Sequence, residues 1–581
     1  MKTMLVAINA KYIHSNPAIY CLKSYSGSYG EDIILGEYTI NNLIDHIVDD
    51  IYEKKPDFIG FSTYIWNVEY VMKAACELRK LLPDCKMWFG GPEVTYNAVF
   101  LMKKYSFIDG IMCGEGEDIF LNVLKYYKGD LTKLQEIKGI VFRDEEGNIR
   151  DNSSDTNGNY CSIKNINMSD IPFIYNNVEN FENRIIYYES SRGCPFSCSY
   201  CLSSVDKTIR FRDINLVIKE LGIFLEKKVK QVKFVDRTFN CKKSHAMTIL
   251  KYIGEHDNGV TNFHFEVAAD LMDDDEIALI KTFRPGLIQL EIGIQSVNDR
   301  TITEINRKMN LDKVKYVVSE INKGKNVLQH LDIIAGLPYE GLEDFKRSFN
   351  ETYAMRPAEL QLGFLKVLSG SVMKEKAEEY GLVYRDYPPY EVLYTKWITH
   401  DEICELKEVE EALEVYYNSM QYKNTMTYME TFFHNPYEMY REISLYYKNK
   451  KNIKGSQYSR QDRYNILYNF FESICSDEKS RHIMAQIMTY DIYLRENAKK
   501  RPFFAGDTKK DKKSLYELYR VADKNRNEKY IHLEHFDIDI LRYSNENVIE
   551  YRDMYLMFDY SVRNPINNDA LVTEIKKEPI I

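Results

Sequence analysis

The stretch Ser190-Ser191-Arg192-Gly193-Cys194-Pro195-Phe196-Ser197-Cys198-Ser199-Tyr200-Cys201 holds three thiols in a C-x-x-x-C-x-x-C spacing, with Gly and Pro bracketing the first. Those two residues disfavour both helix and strand, so the segment is a loop shaped to wrap something. Three thiolates converging from one tight loop suit a metal or an iron–sulfur cluster. A structural zinc site needs a fourth ligand at comparable spacing, and none lies near in the sequence. On a four-iron cluster, three protein ligands leave one iron open to a small molecule.

A chain of 581 residues is long enough for several domains, each with its own core. No apolar run reaches membrane-spanning length. The N-terminal run Met1–Ile8 leads into a loop containing Lys11 and His14, so it reads as a buried strand and not a signal peptide. The net charge of −10 argues against broad non-specific nucleic-acid binding. Outside the triplet the other cysteines of the 11 are scattered, which indicates a reducing compartment, the cytoplasm. The 46 tyrosines, alongside many Lys, Asn and Ile, are read as genome composition bias rather than as a ligand-binding signal.

Residues 1–150 alternate apolar strands (Thr3–Asn9, Glu31–Tyr38, Phe58–Tyr64, Lys86–Phe89 and Phe107–Cys113) with amphipathic helical stretches such as Val68–Leu82. That alternation predicts a doubly wound parallel sheet, whose ligands bind at the carboxyl ends of the strands. Ser62-Thr63, Gly90-Gly91 and Gly114-x-Gly116 fall at those ends. No G-x-G-x-x-G follows the first strand, so a dinucleotide site is not supported. Residues 139–149 read as a hairpin, and residues 151–183, rich in Asn, Asp and Ser, as a linker. Residues 184–371 repeat a strand–helix unit, with strands at Arg184–Glu189, Gln231–Val235, Asn262–Ala268, Leu287–Ile294, Val327–Ile334 and Glu359–Val367. Six βα units predict a partial barrel with its chemistry at the strand C-termini, where Asp236, Arg237, Glu266, Glu291, Gln295 and Asp332 gather. Residues 372–581 are expected to form a mainly helical domain, with Ile403, Leu406, Val409 and Leu413 on one face and a final strand-like segment, Asn547–Val562, that alternates less clearly. Its lysine-rich runs 448–454 and 509–513 are expected to be solvated loops, and most of Tyr387, Tyr390, Tyr394 and Trp397 to fill a core.

Cys194-x-x-x-Cys198-x-Tyr200-Cys201, on a loop that follows a barrel-opening strand, resembles the radical S-adenosylmethionine (SAM) superfamily. Phe234-Val235-Asp236-Arg237-Thr238-Phe239 looks like the second-strand motif of such enzymes. Glu291-Ile292-Gly293-Ile294-Gln295-Ser296 resembles their E-x-G-x-Q-S strand, and Asp332–Pro338 their D-x-I-x-G-x-P segment. The N-terminal sheet resembles a cobalamin-binding module, and the whole chain a cobalamin-dependent radical SAM protein with an uncharacterised C-terminal extension. The resemblance implies that Cys194, Cys198 and Cys201 hold a [4Fe–4S] cluster and that SAM chelates its open iron. Reductive cleavage of SAM then yields a 5′-deoxyadenosyl radical, and methylcobalamin donates a methyl group to an unactivated carbon. A reductant such as flavodoxin or ferredoxin and anaerobic conditions follow from the same likeness. By motif position, Asp236, Arg237, Glu291 and Gln295 are expected to contact SAM.

Many cobalamin modules carry D-x-H-x-x-G after the first strand; here the loop reads Asn9-Ala10-Lys11-Tyr12-Ile13-His14-Ser15-Asn16-Pro17. His14 is a weak candidate for the cobalt ligand. The expectation is instead a lower face without a protein ligand, with Trp66 at or near it, and cofactor contacts from Ser62, Thr63, Gly90, Gly91, Gly114 and Glu115. Three alternatives stay open: rearrangement or cyclisation without methyl transfer, a cobalamin-binding sensor, and RNA methylthiotransfer, whose N-terminal cysteine arrangement is missing. The substrate class (small molecule, peptide or RNA) and the oligomeric state are not legible.

Overall fold

The computed structural model describes residues 1–131, 133–154, 166–450, 458–506 and 528–575. The first sheet runs β2 (Ile34–Thr39), β1 (Thr3–Asn9), β3 (Phe58–Ser62), β4 (Lys86–Gly90), β5 (Gly110–Met112), β6 (Ile140–Arg143), β7 (Ile149–Asp151) across its width. The first five strands are parallel. The predicted hairpin supplies β6 and β7, which extend the sheet antiparallel. Every residue of β1 is buried. Met4, Val6 and Ile8 share a core with Ile47, Val48 and Val71, whereas Leu5 and Ala7 share one with Ile19, Ile119 and Phe120. Helices therefore cover both faces, which is why these strands read as continuous apolar runs. The winding reverses between β1 and β3, and a crevice opens there at the carboxyl ends of the strands.

The second sheet holds β8 (Ile186–Tyr188), β11 (Gln231–Phe234), β12 (Asn262–Val267), β13 (Ile288–Gln295), β14 (Leu328–Ala335) and β15 (Glu359–Phe364), side by side in chain order and all parallel. Its outer face is apolar and buried: Val232, Phe234, Phe263, Phe265, Leu290, Ile292, Leu331 and Ile333. The alternate positions on the inner face are Lys233, His264, Glu266, Glu291, His330 and Asp332. Six strands do not close a barrel, so β8 and β15 are left as edges, and exposed edges invite mispairing. Both are covered. At β8, Ile185 N donates to Ile13 O (2.9 Å) and Ser15 Oγ to Ile185 O (3.1 Å), so the loop after β1 extends the sheet. At β15, Leu360 N donates to Asn418 Oδ1 (2.9 Å) and Asn418 Nδ2 donates to Leu360 O (3.0 Å). One side-chain amide there replaces a neighbouring strand.

The structure adds detail to two expectations and corrects one. Within the expected linker, residues 166–183 pack closely: Tyr175, Val178 and Phe181 join the barrel core, and Arg212 donates to the carbonyl of Ile171 (2.8 Å). The C-terminal region is mainly helical, but it also carries a three-stranded antiparallel sheet of β18 (Ile531–Ile538), β19 (Tyr551–Arg563) and β20 (Ala570–Glu574). Tyr387 and Tyr394 are 50% and 44% exposed and fill no core. Their segment is an exposed two-stranded hairpin after β15, made of β16 (Val383–Tyr384) and β17 (Val392–Tyr394), and only Trp397 of the four packs among rings, those of Tyr339 and Tyr380. The helix His400–Leu413 forms as predicted, opened by a Thr399–Glu402 capping box and burying Ile403, Leu406, Val409 and Leu413. The lysine run 509–513 lies outside the described residues, as do residues 451–457 of the other run.

Candidate functional site

The cysteine loop leaves the carboxyl end of β8. The short strand β9 (Ser191–Arg192) precedes it and pairs with β10 (Arg210–Phe211) beyond it. Gly193, at φ 97°, makes the turn, and a Cβ there would lie 2.4 Å from the Thr208 carbonyl oxygen, so only glycine fits. Cys194 and Cys198 are buried and Cys201 half-buried. Thr238 Oγ1 stands 3.7 Å from the Cys194 sulfur, and Arg307 Nη1 donates to the Cys198 sulfur at 3.8 Å. Burial pushes the Cys198 thiol up, and the Arg307 charge opposes this. Among the described residues no three His, Cys, Asp or Glu side chains close on a single metal ion. Separate thiols on one loop, with a cation and a hydroxyl directed at sulfur, suit a cluster whose irons occupy different corners.

Asp236 is fully buried. Its carboxylate accepts from Ser190 N (2.8 Å), Ser190 Oγ (2.5 Å) and Ser191 N (3.0 Å). It holds the root of the cysteine loop and offers little to a ligand; burial lifts it to about 6 against those hydrogen bonds. Glu291 is likewise engaged, by Lys233 and His264 at 3.0 Å each. Burial works against its ionisation, but the His264 hydrogen bond and the Lys233 charge prevail and hold it at about 2. Arg237 is exposed, and its charge reaches both Glu266 in the barrel and Tyr64 beyond β3. Gln295 sits at a bulge in β13 with φ 70°, and its side-chain oxygen is buried without a partner. A strained backbone presenting an unsatisfied acceptor is a feature of ligand sites.

Sequence patterns missed one group here, Arg307, while Glu266 and Asp332 were marked only by their place at the strand ends. Arg307 lies 109 residues beyond Cys198 and reaches its sulfur, the Tyr200 hydroxyl (3.3 Å) and the Gly293 carbonyl. Nothing in the local Asn306-Arg307-Lys308 sequence announces this. Glu266 faces the barrel interior, where burial and then the Glu291 charge raise it to about 7. Asp332 stands 3.1 Å from His330, and burial raises it too.

The crevice of the first sheet faces the same region. Thr63 is buried, with both N and Oγ1 donating to Gly90 O (2.8 and 2.7 Å). Gly91 has φ 115°, and a Cβ there would lie 2.2 Å from the Thr63 carbonyl oxygen; its glycine is required by the fold itself. At Gly90 a Cβ would meet nothing nearer than Met112 at 3.7 Å. Packing does not demand that glycine, and the free space suits a cofactor tail. Ser62 accepts from Asn16 Nδ2 at 3.4 Å. Trp66 is 44% exposed, stacks on Tyr64 (4.5 Å between centroids, 5° between planes) and donates from Nε1 to Ile8 O (3.2 Å). It presents a fixed flat ring at the switch point of the sheet. His14 does not stand free: its Nδ1 lies 2.6 Å from the Tyr187 hydroxyl of β8. Gly114 turns with φ 97°, while the Glu115 carboxylate is held by Arg210 and by Arg192 (3.4 Å) of the cysteine-loop ribbon.

Comparison with known proteins gives three family matches: residues 4–124 match the B12 binding domain, residues 188–351 the Radical SAM superfamily, and residues 378–558 a protein family of unknown function, DUF4080. The cobalamin-dependent radical SAM methyltransferase TokK of Streptomyces tokunonensis is 23% identical over 361 residues, covering 58% of this chain and 51% of that protein. The anaerobic magnesium-protoporphyrin IX monomethyl ester cyclase of Cereibacter sphaeroides is 24% identical over 340 residues, with 54% and 51% covered. The chain thus spans about half the length of these relatives. In fold it resembles the cobalamin-dependent SAM radical enzyme OxsB, solved with aqua-cobalamin and SAM, at a TM-score of 0.55 and 16% identity, over 84% of this chain and 78% of that one.

Proposed function

We propose that this chain, which belongs to the cobalamin-dependent radical SAM family, is a methyltransferase acting at an unactivated carbon. One observation carries the reading: the ribbon of the cysteine loop at the carboxyl end of β8 is ion-paired to the loop at the carboxyl end of β5 in the first sheet, Arg192 to Glu117 (2.8 Å) and Arg210 to Glu115. When bound, the [4Fe–4S] cluster, SAM and cobalamin supply a one-electron reductant, a hydrogen-abstracting radical and a methyl donor.

The chain's own residues hold and orient these groups. Cys194, Cys198 and Cys201 ligate the cluster, with Arg307 and Thr238 tempering charge on sulfur. Asp236 fixes the loop from below. Gln295, Glu266 and Asp332 offer acceptors to the ammonium and hydroxyl groups of SAM at the barrel mouth, and Arg237 a cation to its carboxylate. Trp66, held flat by Tyr64 and the Ile8 carbonyl at the switch point of the sheet, would border bound cobalamin and exclude water from it. Ser62, Gly90 and Gly114 border its tail. His14, committed to Tyr187, does not serve as a ligand.

Residues 1–150 form the cobalamin unit in this reading, 184–371 the radical SAM core, and 372–581 an extension that seals the barrel edge. No helix among the described residues is long and apolar enough to cross a membrane. An oxygen-labile cluster beside scattered free thiols fits an anaerobic, reducing cytoplasm, where a small acidic reductant is at hand. Substrate remains a choice among small molecule, peptide and RNA.

The test is anaerobic reconstitution of the full chain with iron, sulfide and cobalamin, followed by SAM and a reductant. Formation of 5′-deoxyadenosine is expected, together with a product one methyl group heavier than its substrate. The likeness to a cyclase supports a second reading, ring closure without methyl transfer, which the product mass separates. No SAM cleavage under any reductant would point to a cobalamin-binding sensor instead.

A further inference from the structure

Across the ribbon that carries the cysteine loop, Arg192 of β9 and Arg210 of β10 face one another in register. Like charges directly opposite each other are destabilising, so the ribbon needs acids around it. Two are its own: Glu189 accepts from Arg192 Nη2 (2.8 Å), and Asp206 from Arg210 Nη2 (3.0 Å). Two come from the first sheet's unit. Glu117 accepts from Arg192 Nη2 at 2.8 Å, and Glu115 is shared, paired with Arg210 and standing 3.4 Å from Arg192. The shared groups are well shielded: the side chains of Arg192, Arg210 and Glu115 are 19%, 13% and 15% exposed.

On one side, this lattice reaches the first cysteine. Arg192 is two residues before Cys194, Cys194 N donates to Asp206 O (3.2 Å), and Gly193 is pinned against Thr208. On the other side, Glu115 directly follows the turn at Gly114 and stands at the N-terminal boundary of the helix Gly116–Lys128 without capping it, and the first turn of that helix contains Glu117. The loop after β5 thus turns its backbone to the crevice and its carboxylates to the cysteine loop. Breaking a shielded pair by removing one partner leaves the other charge uncompensated, so separating the two loops would carry that cost at both arginines.

We infer that Glu115 and Glu117 are positioning residues which, through Arg192 and Arg210, lock the cysteine loop to the loop after β5 and so couple cobalamin binding to cluster assembly. The inference rests on the cofactor assignment proposed above. Coupling is reciprocal, so it is readable in binding alone, without turnover. Aqua-cobalamin affinity is measured by equilibrium dialysis on full-length protein with the cluster reconstituted and with the cluster absent. The wild type is expected to bind cobalamin roughly fivefold to tenfold more tightly when the cluster is present. The Glu115→Gln/Glu117→Gln double variant is expected to bind cobalamin and assemble the cluster, but with a ratio near one. A wild-type ratio of one, or the same ratio in wild type and variant, overturns the inference. Should the double variant not fold, Glu115→Gln and Arg210→Gln singly carry the same measurement, each leaving three of the four carboxylates or one guanidinium in place. Failure of the underlying assignment looks different: wild-type protein that takes up no cobalamin or no iron at all.

Discussion

Glu340 follows the Gly336-Leu337-Pro338 turn after β14 and is only 1% exposed. One carboxylate oxygen accepts from Ser296 Oγ (2.6 Å) and Ser348 Oγ (2.9 Å), while the other is buried without a partner. Burial outweighs the two hydroxyls and raises the group to about 7. The folded chain therefore holds this proton more tightly than the unfolded chain does. Its contribution to stability is full below the ordinary carboxylate range, and falls as pH rises from about 4.5 to about 7. The loss across that window is about 3 kcal/mol as an upper figure. Glu340→Gln keeps the shape without the titration, so its denaturation midpoint should vary less between pH 5 and pH 8 than that of the wild type. Equal pH dependence in the two proteins would contradict this. Gly90 and Gly91 make the companion point about neighbouring glycines: Gly91 is demanded by backbone contact with Thr63, whereas Gly90 is free of such demand. Only the second has its absence of a side chain left for a ligand to use.

At the scale of elements, the edge of β15 depends on one amide. Asn418 ends a short π-helical turn, Glu414–Asn418; its Oδ1 accepts from Leu360 N, and its amide donates both to Leu360 O and to Glu414 Oε1 (2.7 Å). Asn418→Leu would leave a strand N–H and C=O unpaired at a costly site, about 2 kcal/mol or somewhat more in total. Hydrogen exchange at Leu360 should speed up and the melting temperature should fall; unchanged protection of that amide would show that the edge is sealed by other means. The same element explains why the last third of the chain was readable only in part. Helical periodicity marks the helix His400–Leu413, because its apolar stripe is local. Of the three-stranded sheet only the middle strand is marked in the sequence, as a strand-like segment that alternates imperfectly: in β19 the run from Leu556 to Asp559 is buried without a break. Most strands of the two large sheets were legible, since they are short apolar runs, several of them closed by Gly, Asp or Ser.

For the whole molecule, what matters is how the units are fixed to one another. Glu37, on β2, gathers Arg184 (2.6 Å), the Tyr20 hydroxyl (2.9 Å), Asn9 Nδ2 (2.7 Å) and the backbone N–H of Asn16 (3.1 Å), with side-chain exposures of 10% and 15% for the ion pair. This junction stands where the first unit extends β8, so Arg184→Gln should lower stability by about 2 kcal/mol, allowing for partial solvation of the pair. It should also raise hydrogen exchange selectively in residues 13–16 and 185; exchange rising uniformly over the chain would argue against a local junction. The thiol spacing, the two alternating strand–helix runs and the position of the cysteine loop at a strand end were determined by the sequence alone, because each is a pattern of neighbours along the chain. Only the tertiary structure decided that Asp236 and Glu291 are spent on internal partners, that Arg307 reaches the Cys198 sulfur, and that Glu115 grips two arginines instead of a cofactor. Periodicity and spacing report which residues face inward. They do not report which charge meets which once two separately folded sheets are brought together, because that depends on contacts between groups on the order of a hundred residues apart in the chain.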